Sequence, residues 1–235
     1  MRILIFFHII SLITVSSGLA ESSKFHIKGD TLFYDTTVVE EDDHISFSDA
    51  DIFRTLLFQN PEVVRVNLHS HCGHTESGLE IGRIVSDFNI DTEVTKECSS
   101  ACVLIFLAGQ NRELKTGGLI GFHRPSWSAD SLRKYYAKSQ SSEGWSDPFA
   151  FALWVQTDVL RVAGQIFEYY SNAGVDISFA AETLKTPNDA MWYPNRDELT
   201  KVGIITYISS ATVRPRMRPL QPKNSQQDID VSLLN

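Results

Sequence analysis

The sequence predicts an α/β fold, and three observations carry that prediction. Residues 63–123 alternate short apolar runs with stretches of helical periodicity, the pattern of parallel strands joined by helices. Within them, CSSACVLIFLAG passes from small polar residues to apolar ones on every side, as a helix buried all round must. The 215 residues that follow a twenty-residue leader are enough to bury one large core.

The leader itself predicts export. MR gives a basic start, ILIFFHIISLITV is an apolar run of thirteen, and SSGLA places Gly18 and Ala20 at the small positions before a cut at Glu21. A membrane-spanning helix needs about 20 apolar residues, so this run is too short for an anchor. No later segment is long or apolar enough either. The expected mature chain is therefore periplasmic or secreted and not integral to a membrane, with residues 1–20 removed as a signal peptide.

Each element follows in order. KFHIK and TLFYDTTV have strand character, with a turn signal at Gly29-Asp30 between them. EEDDH reads as a solvated loop. FSDADIFRTLLFQN has helical spacing at Ile52, Leu56 and Leu57, with Ser48 or Asp49 available as N-cap and Pro61 just beyond its end. VVRVNL is a buried-type strand. After HSHCGH, the stretch SGLEIGRIVSDFN is a helix with Leu79, Ile81, Ile84, Val85 and Phe88 on its apolar face. TEVT is a short strand, the CSSA helix follows, and LIGFH is a further buried strand opened by Gly117-Gly118. Beyond it the chain turns helical. SADSLRKYYAKS is polar, SSEGWSDP is a break, and residues 149–174 form one long aromatic-rich helix ended by Gly174. An aromatic stripe of this kind is core or subunit interface, so a homo-oligomer is possible. DISFAAETLK and NRDELTKV are shorter helices, GIITYI is a closing strand, and residues 209–235 read as a disordered tail.

Removing Arg2 with the leader takes the formal charge from −8 to −9. An acidic chain without a basic stripe lacks what nucleic-acid binding requires. Three cysteines, Cys72, Cys98 and Cys102, imply one disulfide and one free thiol in an oxidising compartment. Cys98 and Cys102 are the nearest pair, and whether they bridge depends on the turn between them.

Chemistry concentrates in two places. In ECSSACVLIFLAGQNR, a serine at the start of a buried helix has its hydroxyl near unpaired backbone N–H groups that can stabilise an oxyanion. The same serine could simply cap the helix. In LIGFHRP, His123 ends an apolar strand, a common address for site residues in α/β proteins. A serine at a helix start paired with a histidine at the next strand's end is less easily accidental than either alone.

Those stretches, with HSHCGHTESGLEIGRIV before them, resemble the Clp-type serine peptidases of the ClpP/crotonase superfamily. They are more similar still to an uncharacterised group of exported, periplasmic bacterial proteins that carry C-x-S-A-C. In the Clp-type peptidases a strand ends in S-P-G-G-S, and a nucleophilic serine then opens an apolar helix ending in A-G. A histidine follows at the next strand end. The register aligns Ser100, rather than Ser99, with the nucleophile and His123 with the base, with two residues missing before Arg112. Asp189 in TPNDAMWYPNRDELTKVGIIT best fits the third member, given two residues inserted near Asn195-Arg196; Asn188 and Asp197 are weaker choices.

The resemblance implies a spiral of ββα units spanning residues 21–208, with a mostly parallel sheet flanked by helices and residues 132–175 as a helical excursion. It implies a serine peptidase that hydrolyses peptide bonds through an acyl-enzyme on Ser100, with the N–H groups of Gly73 and Ala101 as oxyanion hole. No cofactor is implied. The substrates would be peptides or already unfolded chains, because the unfoldase partner of true Clp peptidases is not expected outside the cytoplasm. The family's loop proline and first glycine are replaced here by His71 and Cys72. That departure leaves open a degenerate relative that binds peptides without cleaving them.

Two other readings compete. His69 and His71, with Cys72 or His74, form a zinc-type ligand set, but a metal there would displace the oxyanion hole. Cys98 and Cys102 are not spaced C-x-x-C, so a structural disulfide pinning the serine turn is preferred to a redox role.

Overall fold

A computed structural model describes residues 23–206, so the expected signal peptide, residues 207–208 of the closing strand, and the tail lie outside the described residues. β1 (Phe25–Lys28) and β2 (Thr31–Asp35) form an antiparallel hairpin, and Gly29 turns it at φ 62°. Every other pairing in the six-stranded sheet is parallel. β3 (Arg65–Ser70) lies between β2 and β4 (Asp91–Ser99), and β5 (Arg112–Leu114) and β6 (Leu119–Gly121) share the far edge of β4 in succession. Helices α1 (Asp49–Gln59), α2 (Thr75–Phe88) and α3 (Ala101–Leu107) make the crossovers that parallel strands require. The architecture is thus the expected α/β one, a mostly parallel sheet flanked by helices.

Four features differ from the sequence reading. TEVT is only the middle of β4, which continues through Cys98 and Ser99, so the buried helix begins at Ala101. The strand REL at β5 had no periodicity to reveal it, being three residues long. Ile204 and Ile205 are buried as expected but lie outside any strand, although Thr206 N–H donates to the Arg112 carbonyl (3.1 Å). The polar helix α4 (Ala129–Glu143) absorbs the first part of the expected break. α5 (Pro148–Asn172) is the single long helix, capped by the Asp147 side chain and followed by Gly174 at φ 73°. α6 (Ile177–Thr183) and α7 (Arg196–Lys201) complete the order.

The core sits between the sheet and α1–α3. All seven residues of α3 are buried, which explains its lack of a polar face. Buried Arg112 ties this core to the end of the described chain. Its guanidinium donates to the carbonyls of Leu107, Ala173, Gly203 and Ile204 at 2.7–3.0 Å, among them the C-terminal carbonyls of α3 and α5. Oriented carbonyls at helix C-termini suit a cation, so this charge is buried without a carboxylate partner.

One irregularity positions the site. Between β3 and β4 the register passes from Leu68 opposite Val94 to Ser70 opposite Cys98. β4 therefore carries two extra residues there, a bulge that lifts its end away from β5 and onto β6. The exits of β3, β4 and β6 consequently meet at one edge of the sheet.

Candidate active site

Ser100 joins β4 to α3 at φ 59°, ψ −123°, a conformation that L-residues avoid. Its surroundings hold it there. Ser100 N–H donates to the Gly121 carbonyl (3.0 Å), and its own carbonyl accepts from Val103 N–H (3.0 Å). Cys98 and Cys102, two residues to either side, are joined by a disulfide with Cα atoms 5.3 Å apart. Ser99 points elsewhere: it is fully buried and its hydroxyl donates to Glu97 Oε1 (2.7 Å).

His123 follows β6, and its Nε2 lies 2.7 Å from Ser100 Oγ. Its Nδ1 is 2.8 Å from the Arg124 carbonyl oxygen. A carbonyl only accepts, so Nδ1 carries the proton. In the neutral imidazole Nε2 is then the lone-pair nitrogen facing the serine hydroxyl. Arg124 is held in turn by its N–H bond to the Thr186 carbonyl (3.0 Å), and Phe122 pairs with Trp192 on both sides of the strand end (2.9 Å each). The structure thus brings Ser100 and His123 together. Asp189 lies exposed in the turn between α6 and α7, with no hydrogen bond or ion pair to His123 among the described residues. The group at Nδ1 is a main-chain carbonyl, for which sequence offers no signal.

Gly73 lies on the neighbouring exit, from β3. It bridges Ile45, whose N–H donates to the Cys72 carbonyl (3.1 Å) and whose carbonyl accepts from His74 N–H (3.0 Å). A Cβ at Gly73 would overlap the Ile45 side chain and sit 2.8 Å from its backbone nitrogen, so only glycine fits. Gly78 likewise lets α2 approach the turn: a Cβ there would be 2.6 Å from the Ala101 carbonyl oxygen. Ser100, Ala101 and His123 line a small pocket with Thr75 and Pro125. Those two residues also line a larger cavity that contains Gly73.

The histidines of HSHCGH take different partners, although the rings of His69 and His71 meet edge to face with centroids 5.4 Å apart. His69 Nδ1 lies 3.0 Å from Asp35, His71 Nδ1 lies 3.1 Å from Glu97, and His74 stacks on Phe47. No group of three such side chains able to hold a metal occurs among the described residues. Cys72 is the free thiol; it is exposed, and burial of its sulfur together with nearby Asp43 pushes its pKa up, away from the reactive thiolate.

Glu97 was not singled out from sequence, yet it joins three segments. It accepts from Ser99 Oγ (2.7 Å) and Tyr193 Oη (2.8 Å), and pairs with His71. Burial works to raise its carboxyl pKa, but the hydrogen bonds from Ser99, Tyr193 and His71 outweigh it and hold the value below the usual one. Simple strand alternation gives no hint of such a hub.

The chain matches no family model and no curated protein. Among solved structures it is similar to a mutant of ClpP1 from Listeria monocytogenes, with a TM-score of 0.50 and 16% identity, over 69% of this chain and 84% of that one. At that identity the likeness establishes architecture: the chain has a ClpP-like fold.

Proposed function

We propose that the protein is an exported serine peptidase of Clp-like fold that acts without a nucleotide-driven partner. The observation that carries this reading is the contact between His123 Nε2 and Ser100 Oγ at 2.7 Å, made by a serine in a strained conformation. Strain of that kind persists only where the surroundings over-determine it, and it clusters at sites of chemistry. Ser100 Oγ attacks a peptide carbonyl while its proton passes to His123 Nε2, and the tetrahedral oxyanion is held by the N–H groups of Gly73 and Ala101. His123 then returns the proton to the leaving amine, and water hydrolyses the acyl-serine by the reverse sequence.

The third role, orienting the imidazole, falls in this reading to the Arg124 carbonyl, because it occupies Nδ1 and Asp189 does not. A carbonyl fixes the tautomer but lends the imidazolium less charge stabilisation than a carboxylate would. A slower enzyme than a full Ser-His-Asp triad is expected.

Export is supported by the leader in the sequence and by the Cys98–Cys102 disulfide, which belongs to an oxidising compartment. No helix among the described residues is long and apolar enough to cross a membrane. A homo-oligomer would bury the apolar residues that α5 exposes, Phe149, Leu153 and Leu160.

The test is cleavage of a fluorescein-labelled unfolded protein by purified protein without added nucleotide. Release of labelled peptides by wild type, and none by Ser100→Ala, is expected. Binding of the unfolded protein without cleavage by wild type would overturn the peptidase reading and leave a peptide-binding module.

A further inference from the structure

We propose that the cavity beside the Ser100–His123 pair is a subsite for a basic side chain, lysine or arginine, of the peptide substrate. The inference rests on the peptidase reading and adds a substrate class to it. The cavity has a volume of about 210 Å³ and shares Thr75 and Pro125 with the pocket that holds Ser100 and His123. A peptide with its carbonyl at Ser100 therefore runs its neighbouring residue into this space. Pockets for drug-sized ligands span roughly 300–1,000 Å³, so the room here suits one long side chain.

The walls select its chemistry. Glu76 and Asp158 both line the cavity, and no lysine or arginine does. Asp158 is largely buried and already committed: it accepts from Trp127 Nε1 (3.1 Å) and from Arg161 (2.6 Å). Arg161 in turn also donates to Gln165 (2.8 Å). Glu76 is 59% exposed, and its nearest cation among the described residues is that same Arg161, 4.0 Å away. One guanidinium therefore faces two carboxylates, and Glu76 is the more exposed and more loosely paired of the two, so it is the one open to a ligand cation. Trp127 adds a half-exposed indole whose orientation its Asp158 bond fixes, a surface that attracts cations. Val159 and Val162 supply apolar wall for an aliphatic stem. A stem ending in a cation matches all three features, whereas a glutamate would meet Glu76 with like charge.

Binding is measured on full-length Ser100→Ala protein, which removes turnover from the readout. The probes are fluorescein-labelled peptides of alanine, glycine and serine with one central Arg, Gln or Glu. The Arg peptide is expected to bind about tenfold tighter than the Gln peptide, with the Glu peptide weakest. Adding Glu76→Gln should remove most of that preference, and Glu76→Lys should invert it; thermal melts confirm that both variants fold. Equal affinities for Arg and Glu peptides, no binding of any peptide, or a preference that survives Glu76→Lys would overturn the proposal. Fluorophosphonate labelling of the wild-type serine judges the peptidase reading separately. Labelling without a basic preference sinks only the subsite, and a basic preference without labelling sinks only the catalysis.

Discussion

Two turns meet at the candidate site, and they are held in different ways. The turn from β4 to α3 is locked by the Cys98–Cys102 bond, lies against the core, and has the Ser100 main-chain groups paired. The loop from β3 to α2 is more exposed. It hangs on backbone bonds to Ile45, on the His71–Glu97 ion pair, and on His74 stacked against Phe47. The candidate nucleophile is therefore set in advance by a covalent link, while the loop proposed to bear an oxyanion donor is held by non-covalent contacts alone.

That contrast can be broken at several points, and the largest effect is expected at the contact joining the two halves to chemistry. His123→Ala should slow fluorophosphonate labelling of Ser100 by about four orders of magnitude, the cost typical of losing the base of such a unit. Unchanged melting would show that the loss is chemical.

On the loop side, Gly73→Ala forces the chain away from Ile45. Displacing one oxyanion donor costs about 100-fold in rate, and the effect should fall on kcat far more than on KM. On the nucleophile side, replacing Cys98 and Cys102 together by serine should slow labelling by about tenfold, as Ser100 relaxes toward ordinary backbone angles. The loop closed by the disulfide is very short, so global stability should fall by about 2 kcal/mol at most. Circular-dichroism melts with and without reductant measure this.

The smallest effect concerns Glu97. Its carboxyl is held below the ordinary value of 4.5 in the folded protein. Its contribution to stability is therefore present above pH 4.5 and lost as the pH falls through the lowered value. Wild type should accordingly lose more stability than Glu97→Gln as the pH falls from 4.5. At neutral pH the variant should label about threefold more slowly, through the His71 contact that helps to place the loop. Equal acid sensitivity of the two proteins would detach Glu97 from the loop.

Much of this was legible in the sequence. The strand–helix alternation of residues 63–123 gave the parallel sheet, and the wholly apolar run 101–107 gave its buried helix. A serine at a helix start and His123 at a strand end stood out from the residues. The resemblance to the Clp-type peptidases, however, chose Ser100 over Ser99, because the end of β4 at Ser99 carried no local signal. Less was legible where long-range register decides. The bulge that carries β4 from β5 to β6 depends on three partner strands, and no local pattern encodes it. Glu97 acts through segments 26 and 96 residues away, and Arg124 acts through its main chain. HSHCGH resembled a ligand cluster because spacing alone does not say that Asp35, Glu97 and Phe47 each claim one imidazole.

The central claim is that Ser100 is an activated nucleophile. Its most direct test is incubation of the purified, disulfide-intact protein with a fluorophosphonate between pH 6 and 9, followed by mass spectrometry of the peptide containing residues 97–112. A single covalent adduct on Ser100, absent from Ser100→Ala, is the predicted result. No adduct at any pH in that range, or an adduct that persists in Ser100→Ala, would contradict it.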